Sequence, residues 1–414
     1  MKVLIIGAGV GGCALALALE KFGVDYQLFE QASGFEEVGA GIQLSPNGVK
    51  VLHQLGLEKD LEQFCTTPQA HRYSVWNTGE TILTTPLVPK VLEHYGFAYY
   101  HAHRADLIRS LTQTLNPKKL HLSTRILNIG QTAHKVWVEM KSGERVHGDV
   151  LVGADGIHSL VREQIFRPEP PRPSGYVTWR GIVDSKDIAH LNIPVCAHVD
   201  MGPKLSFVYY YVSNSQKFNW LALGETSGEH AESWSQTSTK EEVLAAFNGW
   251  YDRPKQVIQA TTETFVTALH DRNPLQVWVD GHIALLGDAA HAMLPYHAQG
   301  AVQSLEDAWV LARLLQQHSQ QQHPLEALNT TLTRYQELRV DRANMLVQQS
   351  RNAERWYHVD ELDAIEERNA RFRRTNQKLD GGFSPQQHWL YSYDADKAAL
   401  GTDHEWRNLP SWTA

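Results

Sequence analysis

Three carboxylates stand where short apolar runs end: Glu30 after Tyr26–Phe29, Asp155 after Val150–Ala154, and Asp288 after His282–Gly287. An acid at the end of a strand is held rigidly and can accept hydrogen bonds from sugar-type hydroxyls. Ahead of the first acid, Val3–Ile6 leads into Gly7-Ala-Gly-Val-Gly-Gly12, and this passes into a helical run of Ala and Leu. The spacing gives the glycines separate jobs. Gly7 makes a tight turn, Gly9 lets the backbone approach a diphosphate, and Gly12 allows close helix–strand packing. The following helix aims unpaired N–H groups and its positive end at that diphosphate. Glu30, eighteen residues after Gly12, is then placed to take a ribose diol. Strand, glycines, helix, strand and acid in this order predict a dinucleotide site.

Asp288 offers a second acceptor for a ribitol or ribose hydroxyl. A loop through Pro295 follows, and Gly300 opens a long helix. Its N-terminus would stabilise a nearby negative charge by about 0.3–1 kcal/mol at an exposed site. Asp155-Gly156 sits in a turn before a helix beginning near Ser159, a pattern that an ordinary strand–turn–helix also produces.

The elements that position these groups alternate as in an α/β protein. Asn47–Leu57 and His103–Leu115 read as amphipathic helices, and Leu120–Ile129, Lys135–Met140 and Val150–Val152 as strands. Pro168–Pro173 reads as a stiff break. From Gly175 to Leu223 the texture turns aromatic and β-rich, in Val177–Gly181, Leu205–Val212 and Phe218–Leu223, which predicts a sheet-based domain. Helical patterning returns at Lys240–Trp250 and Leu325–Ser350, with His282–Leu286 a buried strand and Gln316–His323 a connection. Glu366–Lys378 reads as a solvated helix face. The expected boundaries are 1–75, 100–170 and 280–323 for a discontinuous nucleotide-binding domain, 76–99 and 171–279 for a substrate domain, and 324–414 for a C-terminal helical region.

A net charge of −8 argues against nucleic acid as the main partner. The three cysteines, Cys13, Cys65 and Cys196, show neither paired nor metal-type spacing, which fits a reducing cytoplasm. The N-terminal Lys2 and its apolar run mimic a secretory leader, but the glycines within the run favour the nucleotide loop. No stretch of about 18 apolar residues suggests a membrane span. His101 and His103 lack further ligands at zinc-type spacing, so no metal site is expected.

In order, Gly7–Gly12, Gly153-Ala-Asp-Gly156 and Gly287-Asp-Ala-Ala-His291 resemble the three fingerprints of the class A flavoprotein aromatic hydroxylases, across nearly the whole chain. The texture is most similar to the salicylate hydroxylase-like group, which includes 3-hydroxybenzoate 6-hydroxylases and 6-hydroxynicotinate 3-monooxygenases. Glu37–Gln43, His103–Leu107, Ala298–Ala301 and Trp389–Tyr393 add to the likeness. The resemblance implies a Rossmann-like FAD-binding domain of the p-hydroxybenzoate hydroxylase type, with an inserted β-sheet substrate domain and C-terminal helices. It implies FAD held by Gly7, Gly9, Gly12, Glu30, Gly41, Arg104, Asp155, Asp288, Gly300 and Ala301. Arg104 would reach the diphosphate, and Asp155 would serve both FAD and nicotinamide. NADH, favoured over NADPH only through the resemblance, would bind transiently, because the chain has a single full dinucleotide fingerprint. The implied activity is hydroxylation of a small phenolic or hydroxy-N-heteroaromatic compound by NAD(P)H and O2 through a flavin C4a-hydroperoxide. A reductase or halogenase on the same scaffold, or an FAD-binding protein without catalysis, are the alternatives; the halogenase-type Trp-x-Trp-x-Ile motif is missing.

For the substrate, alternation along Leu205–Val212 puts Leu205, Phe207, Tyr209 and Tyr211 on one face. By resemblance Tyr209 is the pocket tyrosine that orients the substrate hydroxyl, and a one-residue slip would make it Tyr210. By resemblance Gln43 and Leu205 contact the substrate, at positions where some relatives and many relatives, respectively, carry histidine. Tyr296, where several do, is a catalytic candidate together with His297, the next candidate base, with a pKa range suited to proton transfer and a surface or structural histidine as the alternative. Arg180 is placed to position the flavin or pair with an acidic substrate, or to form a structural ion pair. Pro295 lines the same site. The aromatic stretch Phe383–Trp412 is a candidate homodimer contact or cap on the substrate domain.

Overall fold

The structure, a computed structural model, describes residues 1–35, 40–166, 169–225, 236–320, 327–379 and 381–402. Glu37–Gly39, Pro168, residues 321–323 of the Gln/His tract and the C-terminal stretch beyond 402 lie outside the described residues.

Two large sheets organise the chain. The first has six strands in the order Val279–Asp280, Ile283–Leu285, Val150–Gly153, Lys2–Ile6, Asp25–Phe29 and Leu120–His121. All its pairings are parallel except the edge pair Val279–Asp280 with Ile283–Leu285. Val3, Leu4, Ile5, Val150, Leu151, Val152 and Ile283 are fully buried, as expected of parallel strands covered on both faces. The helices Val10–Lys21 and Gly300–Gln320 pack against each other beside this sheet. Leu120–Ile129, expected as one strand, divides between two sheets: Leu120–His121 joins the parallel sheet, and Ile126–Gln131 joins a small antiparallel one.

The second sheet has eight strands, ordered Thr237–Ser238, Thr264–Asp271, Arg172–Asp184, Lys217–Gly224, Leu205–Val212, Ala197–Met201, Ala70–Val75 and Thr81–Pro86. Ala70–Val75, placed by the sequence-based boundary with the nucleotide domain, pairs parallel with Ala197–Met201 in this sheet. The expected break at Pro168–Pro173 gives way to strand from Arg172 onward. The two faces of the sheet are both covered. One packs on the helices Lys240–Ala246 and Asp252–Ala260, burying Trp179, Phe207, Tyr209 and Trp220 with Val243, Phe247 and Val257. The other meets a two-stranded ribbon, Gly41–Leu44 with Tyr100–His103. Leu328–Tyr357 forms a long helix behind the Gly300 helix. Among the described residues, no helix is long and apolar enough to cross a membrane.

Candidate active site

The first strand ends in a loop that requires glycine at Gly7 and Gly12. Gly7 has φ +98°, and a Cβ there would lie 2.4 Å from the Ala154 carbonyl oxygen. A Cβ on Gly12 would lie 1.9 Å from the Gly7 oxygen. Gly9, by contrast, faces open space, as close approach by a diphosphate requires. It caps the Val10–Lys21 helix without a side-chain hydrogen bond, leaving the first-turn N–H groups for an anion. Glu30 accepts from the Ala8 and Ala32 amides, both at 2.8 Å, which fixes its carboxylate at the mouth of the loop.

Asp288 comes to the same place from the far end of the chain. Gly287, at φ +64°, makes the turn, and Ser304 closes over it: a Gly287 Cβ would stand 2.6 Å from the Ser304 hydroxyl. Gly11 packs against Leu286 and Ser304, so the glycine loop and the Gly300 helix share one contact. The exposed Asp288 carboxylate points at the start of that helix, 3.8 Å from where a Gly300 Cβ would be. Ala301 packs at the edge of the core in the same first turn. Arg104 begins the helix Arg104–Thr112, its amide donating to the Ala40 carbonyl at 2.9 Å. Its charge, after burial itself, helps hold the Arg180 guanidinium down at about 10. The two arginines thus lie near each other. These residues fit FAD: a glycine cradle open at Gly9, two acids for its hydroxyls, and helix N-termini and a guanidinium for its phosphates and pyrimidine edge.

The wall opposite comes from the long sheet, and here the strand Leu205–Val212 faces the other way from the expectation. Leu205, Phe207 and Tyr209 are buried against the outer helices, and Tyr211 packs at the edge of that cluster. Tyr209 stacks on His198 at 4.6 Å, and its hydroxyl lies 3.2 Å from that of Tyr251, which donates to Asp200 at 2.6 Å. Tyr210 faces the ribbon. A Cβ on Gly41 would lie 2.8 Å from the Tyr210 ring and 2.6 Å from Asn219 Cγ, and the Gly41 amide donates to Asn219 Oδ1 at 2.7 Å. The Tyr99 hydroxyl donates to Gln43 Oε1 at 2.7 Å, and Gln43 also bonds the Tyr210 hydroxyl. His101 packs on Tyr210 at 4.4 Å and His71 on Tyr99 at 4.9 Å. Burial pushes the Tyr99 and Tyr210 phenols up and the His71 imidazole down to about 4. Several buried nitrogens of this wall, His71 Nε2 and Asn219 Nδ2 among them, have no hydrogen-bond partner. The wall is therefore aromatic, neutral at pH 7, and equipped with hydroxyl donors.

The other expected residues take structural positions. His297 Nε2 lies 3.2 Å from the Gln349 carbonyl on the long helix, and burial holds the ring down at about 4. That contact ties one ring nitrogen to the Leu328 helix. The Tyr296 hydroxyl sits 2.8 Å from His358 Nε2, and the exposed Pro295 starts the turn Pro295–His297, whose other two side chains are partly buried. The Asp155 carboxylate accepts from the Ser159 hydroxyl at 2.6 Å and the Val161 amide at 3.2 Å, capping the segment that follows. Arg180 donates to Thr267 at 2.8 Å and lies over Phe265.

Sequence reasoning missed Tyr99 and His71, which sit far from any motif. It also missed a buried charge cluster, Glu306 and Asp307 with Arg339 and Arg342, whose helical spacing looks the same as that of surface ion pairs. Asp307 Oδ2 accepts from the Gly287 amide at 3.0 Å and contacts His291 at 2.6 Å, which holds the Asp288 turn from behind.

The FAD binding domain family matches residues 1–350. The chain belongs to the FAD-dependent aromatic hydroxylases. It is similar to a 3-amino-4-hydroxybenzoate 2-monooxygenase of Streptomyces platensis, 34% identical over 95% of this chain and 96% of the relative. It is 31% identical to a 6-hydroxynicotinate 3-monooxygenase of Bordetella bronchiseptica, over 87% and 93% of the two chains. HpxO of Klebsiella pneumoniae, solved with FAD and uric acid, matches with a TM-score of 0.81 at 26% identity, covering 92% of the hydroxylase and 95% of that chain.

Proposed function

We propose that this hydroxylase uses NAD(P)H and O2 to hydroxylate a small phenolic or hydroxy-N-heteroaromatic substrate held between the flavin and the Tyr210 wall. The observation that carries the reading is the Gln43–Tyr99–Tyr210 cluster at the Gly41 ribbon, between the FAD-binding elements and the long sheet. Bound FAD, once reduced, supplies the electrons that activate O2. The chain's own groups do the rest. Burial keeps the Tyr210 phenol protonated, so its hydroxyl can donate to the substrate oxygen and favour the ionised, electron-rich ring. Tyr99 holds Gln43 in place, and His71 Nε2 offers a neutral polar contact. The covered wall excludes water from the reacting oxygen. The three buried cysteines, none of them in a disulfide, support a cytoplasmic setting.

The test is NADH oxidation by the FAD-loaded protein with a panel of hydroxybenzoates, aminophenols and hydroxypyridines. At least one should accelerate NADH oxidation and yield a product heavier by one oxygen. Unaccelerated oxidation and no oxygenated product across the panel would refute the reading.

A further inference from the structure

Two carboxylates and two guanidiniums, Glu306, Asp307, Arg339 and Arg342, lie buried between the Gly300 and Leu328 helices, each at most 1% exposed. Arg339 donates to Glu306 at 2.6 Å and to Asp307 at 2.7 Å. Arg342 grips Glu306 twice, through Nε at 2.8 Å and Nη2 at 3.0 Å. The charges balance, and despite burial the guanidiniums keep Glu306 below its ordinary range. Replacing such a cluster with apolar residues is often neutral or stabilising, so its presence needs a reason besides stability.

The connections supply one. The remaining Arg342 donors reach the carbonyls of Trp389, at 3.2 Å, and Leu390, at 3.1 Å. The next residue, Tyr391, packs edge-on against Tyr99, the partner of Gln43. In the other direction, Glu306 accepts from Asn47 at 2.6 Å, and Asn47 also donates to Gln299 at 3.3 Å. Gln299 in turn donates to Ser45 at 3.0 Å and immediately precedes Gly300. One guanidinium therefore touches the segment behind the substrate wall, and its carboxylate partner is linked through Asn47 to Ser45, just past the Gly41–Leu44 strand, and to Gln299 in the turn before the Gly300 helix.

We propose that Arg342 is a positioning residue that, through Glu306, locks the Trp389–Tyr391 segment to the Gln299–Gly300 turn, so that the substrate wall and the flavin seat keep one register. The proposal rests on the function proposed above. A planar fork is required, because one lysine ammonium cannot hold two carboxylate oxygens and two carbonyls together. A displacement of about 1 Å at a reacting centre costs on the order of a hundredfold in rate, and partial loosening costs less.

The test compares FAD-loaded wild type with Arg342→Lys, Glu306→Gln and the control Arg313→Gln. Arg313 ties the C-terminal region to the Gly300 helix through Asp396, at 3.0 Å, without joining the cluster. With a substrate found by the panel, Arg342→Lys and Glu306→Gln should lower product formed per NADH consumed by about threefold or more and raise the substrate KM. Arg313→Gln should do neither. Folding is checked by thermal melting, and visible circular dichroism of the bound flavin should change in the two cluster variants alone. Wild-type coupling and KM in a folded Arg342→Lys protein would overturn the proposal, and so would equal uncoupling in Arg313→Gln. If wild type hydroxylates nothing, the proposed function fails, and the flavin dichroism still decides whether Arg342 sets the flavin seat: an unchanged spectrum in both cluster variants would overturn it.

Discussion

Gly41→Ala should leave a folded protein that binds FAD and hydroxylates poorly. The ribbon strand at Gly41 presses against the long sheet so closely that an added Cβ would lie 2.6 Å from Asn219 Cγ and 2.8 Å from Tyr210 Cε2. Carbon atoms at rest stand about 3.5–4.0 Å apart, so the contact must open by about 1 Å. Asn219 is fully buried and Tyr210 only 2% exposed, and the Gly41 amide is bonded to Asn219, so neither side chain can swing clear. The ribbon itself must move, carrying Gln43 and the flavin-facing backbone away from Tyr210. Overpacking of this kind costs about 1–3 kcal/mol in stability, while a shift of about 1 Å at the reacting centre costs on the order of a hundredfold in rate. FAD affinity rests on the Gly7–Gly12 loop and should change much less. Steady-state hydroxylation, FAD titration by flavin fluorescence and a thermal melt separate the three effects. A Gly41→Ala enzyme with wild-type turnover would refute the placement of flavin and substrate on either side of this contact.

Tyr210→Phe should lower hydroxylation by about tenfold or more, the worth of a hydrogen bond to a charged oxygen, whereas Tyr209→Phe should leave kcat/KM within about twofold and shift mainly the melting temperature. Gly12→Ala should give colourless protein after purification, because its Cβ would lie 1.9 Å from the Gly7 oxygen, and retained yellow flavin would contradict the cradle. Glu30→Ala should weaken FAD binding by about tenfold or more, read by fluorescence titration. Burial lowers His71 from 6.5 to about 4, so between those values the unfolded chain binds more protons than the folded one. Its stabilising contribution is complete above about pH 6.5 and is lost as pH falls toward 4, and His71→Gln should flatten melting temperature against pH in that window.

The glycine loop, Glu30 and the Asp288 turn were legible because their spacing is dictated by local geometry: one turn, one close approach, one helix start. The Tyr209 assignment shows where that legibility ends. Alternation identified the two faces of Leu205–Val212, but both are buried, one under Phe247 and Val257 and the other under the Gly41 ribbon, so hydrophobicity could not say which looks at the flavin. His297 is near the flavin turn in sequence, yet a carbonyl of the long helix, 52 residues on, engages one of its ring nitrogens, which no local motif could show. Tyr99 and His71 reach the wall through pairings more than 50 residues apart in sequence, of which a local motif carries no trace. Arg342 and Glu306 look like an ordinary ion pair until the helix carrying each is seen to be covered on that face.

The most direct test of the account is the fate of isotopically heavy O2 in a reaction of FAD-loaded protein, NADH and the substrate that best accelerates flavin reduction. The account predicts one heavy oxygen in the aromatic product, lost in step with turnover in Tyr210→Phe and kept in Tyr209→Phe. Heavy oxygen found only in hydrogen peroxide and water, with every substrate that accelerates reduction, would contradict it.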